Sequence, residues 1–366
     1  MLRILALIGA FVSLALAQAP GTLENIRVGQ GEGGIRAVLD LSGPAEYQVF
    51  ALENPPRLVV DVLQASQGAV ADRVVNRGFL QGYRIGRQPG ATRVVFDLDA
   101  PARFTAFTLT GPDRIVLDLT FARALAAQLP PIPERLAPGL TFQRAFHQTQ
   151  AGETVVNLLR ADLNLIRPQV RFAHPPQPPT QLAGGALAAI NANYFDPATG
   201  MALGLVITAG QVLSLPLGRA ALGFTADRRP LFGLPQLQAP APLAVAQGQW
   251  SDPHWAQVVE AIEAGPQLLS GASVVLGRTG EVFQGDVIDT RIDRSVVGLD
   301  SHQRLVLFTA AATTLPEAAA IAQDLGLVEA LQTDSGGSST LIVGGVRSDS
   351  LAPERPVPVV LTLWPR

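Results

Sequence analysis

The sequence predicts a multidomain protein in which an all-β domain with an internal duplication is followed by a mixed α+β domain. Residues 27–61 align with residues 84–118 without a gap and share 15 identities in 35 positions. Unrelated segments of that length would share only about two or three, given typical residue frequencies. Both copies alternate polar and apolar residues, whereas the second half of the chain adds two segments of helical periodicity.

The two copies predict short strands separated by turns. Residues 36–41 and 93–98 alternate polar and apolar side chains, and prolines mark turns at the matching positions Pro55 and Pro112. We therefore expect two related sheets packed face to face. The arginines and aspartates that recur in both copies are expected on exposed strand faces, where they brace one another.

The chain ends and the middle of the chain suggest its domain boundaries. Residues 1–17 are predicted to be a signal peptide, because Arg3 precedes an apolar run that ends in Ala15-Leu16-Ala17. An uncleaved anchor is the alternative, although a bilayer span needs about 20 apolar residues. The mature chain is expected to be exported and to lack a transmembrane segment. The β domain occupies residues 24–120, a proline-rich linker residues 121–139 and the second domain residues 140–366.

The second domain is predicted to contain helices as well as strands. One helix is expected to begin at Pro253 and end at Gly265, since residues 255, 258, 259 and 262 would form one apolar face. A second helix is expected from about Pro316 to Gly326. The following residues, 328–333, read as a strand that ends directly before Asp334.

Composition excludes several classes of function. Hydrophobic residues make up 48% and charged residues 16%, the net charge is −3, and no basic run appears, so nucleic-acid binding has little support. The chain has no cysteine, which excludes disulfides, thiolate metal sites and cysteine nucleophiles. Its four histidines are not spaced as a helical zinc pair.

Four polar clusters are candidate site residues, and each has a structural alternative. The first is Asn191, Asn193, Tyr194 and Asp196, whose amides and rings can contact a sugar; an Asn/Asp turn is the alternative. The second is Gly265 with Pro266, which a helix stop would also explain.

The remaining two clusters suggest anion binding. Arg294 precedes an apolar strand and can hold a phosphate, or can form a surface salt bridge. Asp334 is followed by Gly336, Gly337 and Ser338, a carboxylate beside a glycine turn whose N–H groups suit an anion. A plain turn between strands is the alternative.

The duplicated region resembles the AMIN domain, a module of exported bacterial proteins that act on the cell envelope. The paired segments at residues 36–41 and 93–98 and at 57–61 and 114–118 carry this resemblance. It implies binding to peptidoglycan and targeting to the cell wall, and it supplies no catalytic residues.

The four clusters, in their order along residues 145–364, resemble the phosphodiester glycosidase family. Asn191, Asn193, Gly265, Arg294 and Gly298 match positions of its motifs, as do Asp334, Gly336, Gly337 and Ser338. Ser335 replaces a glycine of the family pattern, and Ile292-Asp293 stands where many members have His-Pro.

The resemblance implies an exported envelope glycosidase that hydrolyses a sugar-1-phosphodiester similar to that of N-acetylglucosamine. Asp334, Arg294 and Asp196 are then the catalytic residues. The expected substrate-binding residues are Asn191, Asn193, Tyr194, Gly265, Gly336, Gly337 and Ser338. No cofactor is required, although Asp334 and Asp196 could hold a divalent cation. Expected partners are a cell-wall or envelope polysaccharide and, through the AMIN domain, peptidoglycan in the periplasm or cell wall.

Two other functions remain open at this point. The first is a non-catalytic protein that binds wall polymer or exopolysaccharide. The second is a peptidoglycan amidase, because AMIN domains often precede amidases; such enzymes use zinc held by histidines, which are scattered here.

Overall fold

The computed structural model describes residues 21–31, 34–53, 55–77, 80–98, 102–120, 122–149, 152–238, 248–276, 281 and 290–366. Of these residues 57% lie in strands and 9% in helical turns, so the protein is predominantly β. The predicted signal peptide lies outside the described residues. Within the described ranges, no helix is both long enough and apolar enough to cross a bilayer.

The described residues of the N-terminal domain form ten strands in two five-stranded sheets. Their bounds are β1 Thr22–Gly31, β2 Gly34–Leu41, β3 Tyr47–Glu53, β4 Pro56–Leu63, β5 Ser66–Gln67, β6 Arg73–Arg77, β7 Leu80–Gln88, β8 Ala91–Leu98, β9 Arg103–Leu109 and β10 Arg114–Thr120. One sheet has the order β5-β1-β2-β10-β9 and the other β3-β4-β8-β7-β6. A shared apolar core lies between them, which confirms the predicted pair of packed sheets.

The two sequence copies exchange strands. Strand β2 of the first copy pairs with β10 of the second, while β4 of the first pairs with β8 of the second. Each sheet therefore combines half of one copy with half of the other. Because the central pairing of each sheet crosses the copies, we infer that neither copy could form a complete sandwich alone.

The repeated arginines and aspartates form ion pairs on the outer faces, as the alternation predicts. Arg36 contacts Asp118 at 2.6 Å, and at the equivalent positions of the repeat Arg93 contacts Asp61 at 2.7 Å. Each of these pairs spans the two copies. Exposed pairs of this kind contribute little individually to stability, but they agree with the strand register.

The proline-rich stretch at 121–139 carries some regular structure. Helix α1 runs over Ala122–Gln128 and strand β11 over Arg135–Ala137. Leu125 and Leu129 are buried against Val155 of the second domain. This apolar contact orders part of the stretch that was expected to be an extended tether.

In the second domain, the part of the chain that the structure describes forms three sheets. Its further strands are β12 Leu140–Thr149, β13 Gly152–Ala161, β14 Ile166–Gln177, β15 Ala188–Asn191, β16 Val206–Thr208, β17 Gln211–Ser214, β18 Ala221–Thr225, β19 Pro230–Gly233, β20 Val258–Glu263, β21 Gln267–Ser270, β22 Ser273–Val274, β23 Ile292–Asp300, β24 Leu305–Thr313, β25 Leu327–Gln332, β26 Leu341–Val343, β27 Val346–Arg347 and β28 Val357–Pro365. The orders are β11-β12-β13-β24-β23-β25-β21-β22, β14-β28-β15-β26-β27 and β17-β16-β20-β18-β19. One apolar core contains residues from all three sheets.

The structure only loosely supports the prediction that this domain is mixed α+β. Its α-helices among the described residues are α2, Pro179–Ala183, and α3, Leu315–Asp324. The helix predicted from Pro253 to Gly265 is wrong: a 3-10 turn covers Pro253–Gln257, and β20 follows at once. Strand β20 lies between β16 and β18 and is buried along most of its length. Its β-branched residues suit such a strand, and a short apolar run fits either periodicity.

The second predicted helix and the strand after it are confirmed, and they lead to the site. Helix α3 is capped by Thr314 and Glu317 and packs its apolar face on the eight-stranded sheet. Strand β25 then pairs with β23, where Gly298 permits close approach. A Cβ at Gly298 would collide with the Glu329 carbonyl and the Leu327 side chain.

Candidate active site

Asp334 lies where two sheets meet. It follows β25 of the eight-stranded sheet, and its N–H donates to the Ala192 carbonyl at 2.8 Å, just beyond β15 of a different sheet. In return the Asn191 amide donates to the Asp334 carbonyl. The backbone around Asp334 is thus fixed by the loop after β15, so two of the sequence clusters come together.

Asn191 acts as a brace within this junction. It is fully buried, and its Oδ1 accepts hydrogen bonds from Ser295 Oγ at 2.8 Å and from Thr340 N–H at 3.0 Å. Ser295 Oγ also lies 2.8 Å from Ser339 Oγ. Because the Asn191 amide is engaged within the protein, we assign it the positioning of the Asp334 loop.

Asn193 retains an unused acceptor. The residue is 1% exposed, and its Nδ2 donates to the carbonyls of Leu203 and Leu205. Among the described residues, neither Asn193 Oδ1 nor Thr333 Oγ1 has a hydrogen-bond partner. Buried polar atoms are normally paired, so these two atoms are suited to bind a buried water molecule.

The environment of the Asp334 carboxylate disfavours its charge. Burial raises the pKa of Asp334 to about 6, although the Ser338 hydroxyl, the Ser335 N–H and the charge of Arg355 oppose the rise. The Ser335 N–H donates to Asp334 Oδ1 at 2.9 Å. A carboxylate that titrates this close to neutrality is typical of functional sites.

Tyr194, Gln332 and Arg294 form a chain of hydrogen bonds behind Asp334. The Tyr194 hydroxyl donates to the Gly265 carbonyl at 3.0 Å and accepts from Gln332 Nε2 at 2.9 Å. Gln332 Oε1 in turn accepts from Arg294 Nη1 at 2.8 Å. Gly265 has a φ of +79°, which favours glycine and directs its carbonyl to Tyr194.

Arg294 is held inside the protein. It is 0% exposed, and it also donates from Nε to the Thr313 carbonyl and from Nη2 to the Thr290 carbonyl. Burial lowers its pKa to about 10, so it stays a cation at neutral pH. Its position suits a structural role behind the site better than direct contact with a phosphate.

The glycine turn after Asp334 is a short 3-10 turn, Gly336–Ser338. Gly336 has a φ of +64°, which a residue with a side chain rarely adopts. The N–H groups of Gly336 and Gly337 open the turn and have no acceptor within it. Ser338 is buried and its hydroxyl lies near Asp334 without a hydrogen-bond partner among the described residues, whereas Gly337 is exposed.

Asp196 lies in a turn of its own. Its Oδ1 accepts from the Ala198 N–H at 2.8 Å, and its backbone pairs with Met201. Across the described residues no hydrogen bond or ion pair joins Asp196 to Asp334. In the same ranges, no group of three or more histidine, aspartate or glutamate side chains could hold a metal ion.

Two arginines at the site were missed by the sequence reasoning. The guanidinium of Arg355 lies 5.0 Å from the centre of the Phe195 ring, and that of Arg219 lies 5.4 Å from the centre of the Tyr194 ring. Arg355 is exposed, its Cδ approaches Gly337, and its charge acts on Asp334. It stands alone between prolines in the sequence, so no local pattern marks it.

Comparison with solved structures supports the fold. A hypothetical protein from Synechocystis is 23% identical, with a TM-score of 0.60, over 95% of this chain and 81% of that chain. The catalytic domain of zebrafish N-acetylglucosamine-1-phosphodiester alpha-N-acetylglucosaminidase, in a form auto-inhibited by its pro-peptide, is 18% identical, with a TM-score of 0.52. That match covers 63% of this chain and 85% of the zebrafish chain. No curated protein matches the sequence.

Family models assign both parts of the chain. The AMIN domain model matches residues 25–105 and, in a second overlapping match, residues 82–150. The two matches agree with the internal duplication. The phosphodiester glycosidase model matches residues 184–364, which include all the site residues described above. The chain is therefore an AMIN-domain protein whose C-terminal part is a domain of the phosphodiester glycosidase family.

Proposed function

We propose that this protein is an exported cell-envelope hydrolase that cleaves a sugar-1-phosphodiester, similar to that of N-acetylglucosamine, at the glycosidic carbon. The observation that carries the proposal is the environment of Asp334. A partly buried carboxylate with a pKa of about 6 lies beside an exposed arginine and an aromatic ring, in a domain of the phosphodiester glycosidase family.

In the proposed reaction, positive charge develops on the sugar ring and negative charge on the departing phosphate. Water adds to the anomeric carbon and loses one proton to the solvent, while the bond from that carbon to the phosphate oxygen breaks and its electron pair leaves with the phosphate. The ionised Asp334 faces the positive charge that develops on the sugar ring. The departing phosphate monoester is a weak base, so the reaction needs little help from a general acid.

Arg355 is the residue best placed to meet the phosphate. Its guanidinium is exposed beside Gly337 and stacks on Phe195, whereas Arg294 is enclosed. Arginine binds phosphate through paired N–H groups. We assign to Arg294, Gln332 and Tyr194 the positioning of the floor of the site. The Gly336–Gly337 turn would contact the substrate.

The AMIN domain would target the proposed enzyme to the cell envelope. The predicted signal peptide would export the chain, and the duplicated sandwich would bind peptidoglycan in the periplasm or cell wall. Targeting of this kind would raise the local concentration of envelope glycans around the Asp334 site.

Release of free sugar from an N-acetylglucosamine-1-phosphodiester tests the proposed activity. The full-length mature protein is incubated with the chromogenic diester, and free N-acetylglucosamine is measured between pH 5 and 8, with and without divalent cations. We expect turnover by the wild type and turnover slowed at least about 100-fold in Asp334→Asn. No release under any of these conditions would rule out this substrate class.

A non-catalytic glycan-binding protein is the second candidate. It is favoured by Ile292-Asp293, which replaces the His-Pro of many family members, and by the enclosure of Arg294. In that case the protein would sediment with purified cell-wall polymer but release no sugar, and Asp334→Asn would bind as the wild type does.

The pH dependence should report the ionisation of Asp334. If the ionised form supports the reaction, kcat/KM of the free enzyme rises about tenfold per pH unit below the pKa of about 6 and levels off above it. A kcat/KM profile from pH 4.5 to 8 measures this. A rate that falls as pH rises through 6 would mean that the protonated acid is the active form.

Arg355→Met is expected to lower kcat/KM by about 10- to 100-fold, because an arginine that meets the developing phosphate charge is lost. Since the side chain is exposed, the melting temperature should not change. Arg229→Met removes another exposed arginine of the same domain and serves as the control. Equal kinetics for both variants would exclude Arg355 from phosphate binding.

A further inference from the structure

A cavity lies between the two domains, and Asp334 is not among the residues that line it. Its volume is about 280 Å³. Arg103 of β9 and Leu125 of α1 line it on the N-terminal side, and Asp293, Ala312 and Asp349 on the C-terminal side. A volume of this size suits a small molecule, because sites for larger ligands typically span about 300–1,000 Å³.

Arg103 is the unusual residue of this cavity. It is 1% exposed, and its Nη2 donates to the Ala312 carbonyl. Its Nε and Nη1 have no hydrogen-bond partner among the described residues. Burial lowers its pKa to about 10, so it remains charged at neutral pH. A buried cation with unsatisfied N–H groups is costly unless an acceptor joins it.

Two carboxylates face the same cavity. Asp349 is 5% exposed, and its Oδ1 accepts from the Leu341 N–H and from Arg347 Nε. Asp293 Oδ1 accepts from the Ala312 N–H at 2.6 Å. In the described part of the chain, the Oδ2 atom of each takes no hydrogen bond. Neither carboxylate forms an ion pair with Arg103.

We propose that the cavity binds a small zwitterion, such as a free amino acid or a dipeptide. Its carboxylate would accept from Nη1 of Arg103, and its ammonium group would donate to Asp293 and Asp349. The side chains of Leu125 and Ala352 form an apolar wall for a small side chain. A simple anion would be repelled by the two carboxylates, and a simple cation would leave the Arg103 N–H groups without an acceptor.

This placement would make the ligand a link between the domains. Asp293 directly precedes Arg294, and Arg347, the partner of Asp349, also donates to the Ser339 carbonyl at 2.7 Å behind the glycine turn. The ligand would therefore connect the β9 side of the AMIN domain to the segments that support the candidate active site. The inference does not depend on the proposed hydrolase activity.

Calorimetric titration of the full-length mature protein tests the proposal. The probes are L-alanine, D-alanine and L-alanyl-L-alanine, compared with acetate and ethylammonium, which each carry only one of the two charges. We expect at least one zwitterion to bind at least about tenfold more tightly than either single-charge probe. No heat for any zwitterion would overturn the proposal, as would acetate binding as tightly as the best of them.

Two variants assign the binding to this cavity. Arg103→Met should weaken the binding of the tightest zwitterion at least about tenfold, while Arg87→Met, at an exposed arginine of the same domain, should bind as the wild type does. Asp293→Asn keeps an acceptor for the Ala312 N–H and should also weaken binding, which provides a second test if Arg103→Met does not fold. Unchanged binding in Asp293→Asn and in a folded Arg103→Met would place the ligand elsewhere.

Discussion

Asp334→Asn is expected to lower kcat about 10²- to 10⁴-fold, because an amide cannot supply the negative charge that faces the developing cation of the sugar. KM should change little, since the amide retains the size of the carboxylate. Steady-state kinetics on the N-acetylglucosamine-1-phosphodiester measure both constants. Asp227→Asn, at an exposed aspartate of the same domain, is the matched control.

Stability separates a catalytic role of Asp334 from a structural one. Its pKa is raised in the folded state, so the native protein holds the proton more tightly than the unfolded chain does. The free energy of unfolding therefore falls as pH rises from about 4 to about 6, and the penalty is complete above 6. Asparagine carries no such penalty, so Asp334→Asn should be at least as stable as the wild type at pH 7.5. A large loss of stability together with the loss of activity would assign Asp334 to the scaffold.

Arg294→Met is expected to destabilise the second domain by about 3–5 kcal/mol, because it leaves Gln332 and the carbonyls of Thr290 and Thr313 without their buried donor. Arg294→Lys should recover little of this, since one ammonium cannot reach three acceptors arranged around a planar guanidinium. Urea unfolding followed by tryptophan fluorescence measures the change. Arg355→Lys, at an exposed site, should unfold as the wild type does.

The kinetics of a folded Arg294 variant then discriminate between the two roles. If Arg294 only positions the site, its loss should disturb the hydrogen bond between Gln332 and Tyr194. Both kcat and KM should then be affected. A variant as stable as the wild type that loses phosphodiester turnover alone would instead support the direct phosphate contact that the sequence motif suggested.

The strands of the β domain could be predicted closely because the sequence pattern that identifies them is local. Alternation in residues 36–41 and 93–98 identifies strands whatever their partners are. The exchange of strands between the copies was not predicted, because equivalent sequences pair equally well within a copy or across copies. Only the three-dimensional arrangement shows that Arg36 meets Asp118 of the other copy.

The second domain shows where local sequence patterns fail to predict the secondary structure. Thr314 and Glu317 form a capping box at the start of the helix at 315–324. This motif marks a helix start independently of tertiary context. Residues 258–263 carry only an apolar pattern, and burial between two strands decides their conformation. Propensity is overridden wherever a short segment is buried on both faces.

The motifs of the candidate site could be predicted from the sequence, but the roles of the individual residues could not. Hydrogen bonds join the ends of β15 and β25, so the clusters of Asn191 and Asp334 lie together. Burial could not be read from the motifs, so Arg294 was expected to contact phosphate although it is enclosed. Arg355 was missed because it reaches Asp334 from a loop without any local signature.

The position of bond cleavage tests the central claim most directly. The full-length mature protein is incubated with N-acetylglucosamine 1-(methyl phosphate) in ¹⁸O-labelled water, and both products are analysed promptly by mass spectrometry. Cleavage at the glycosidic carbon predicts label in N-acetylglucosamine and unlabelled methyl phosphate. Label in the phosphate-containing product, which requires attack at phosphorus, would contradict the account, as would the absence of turnover.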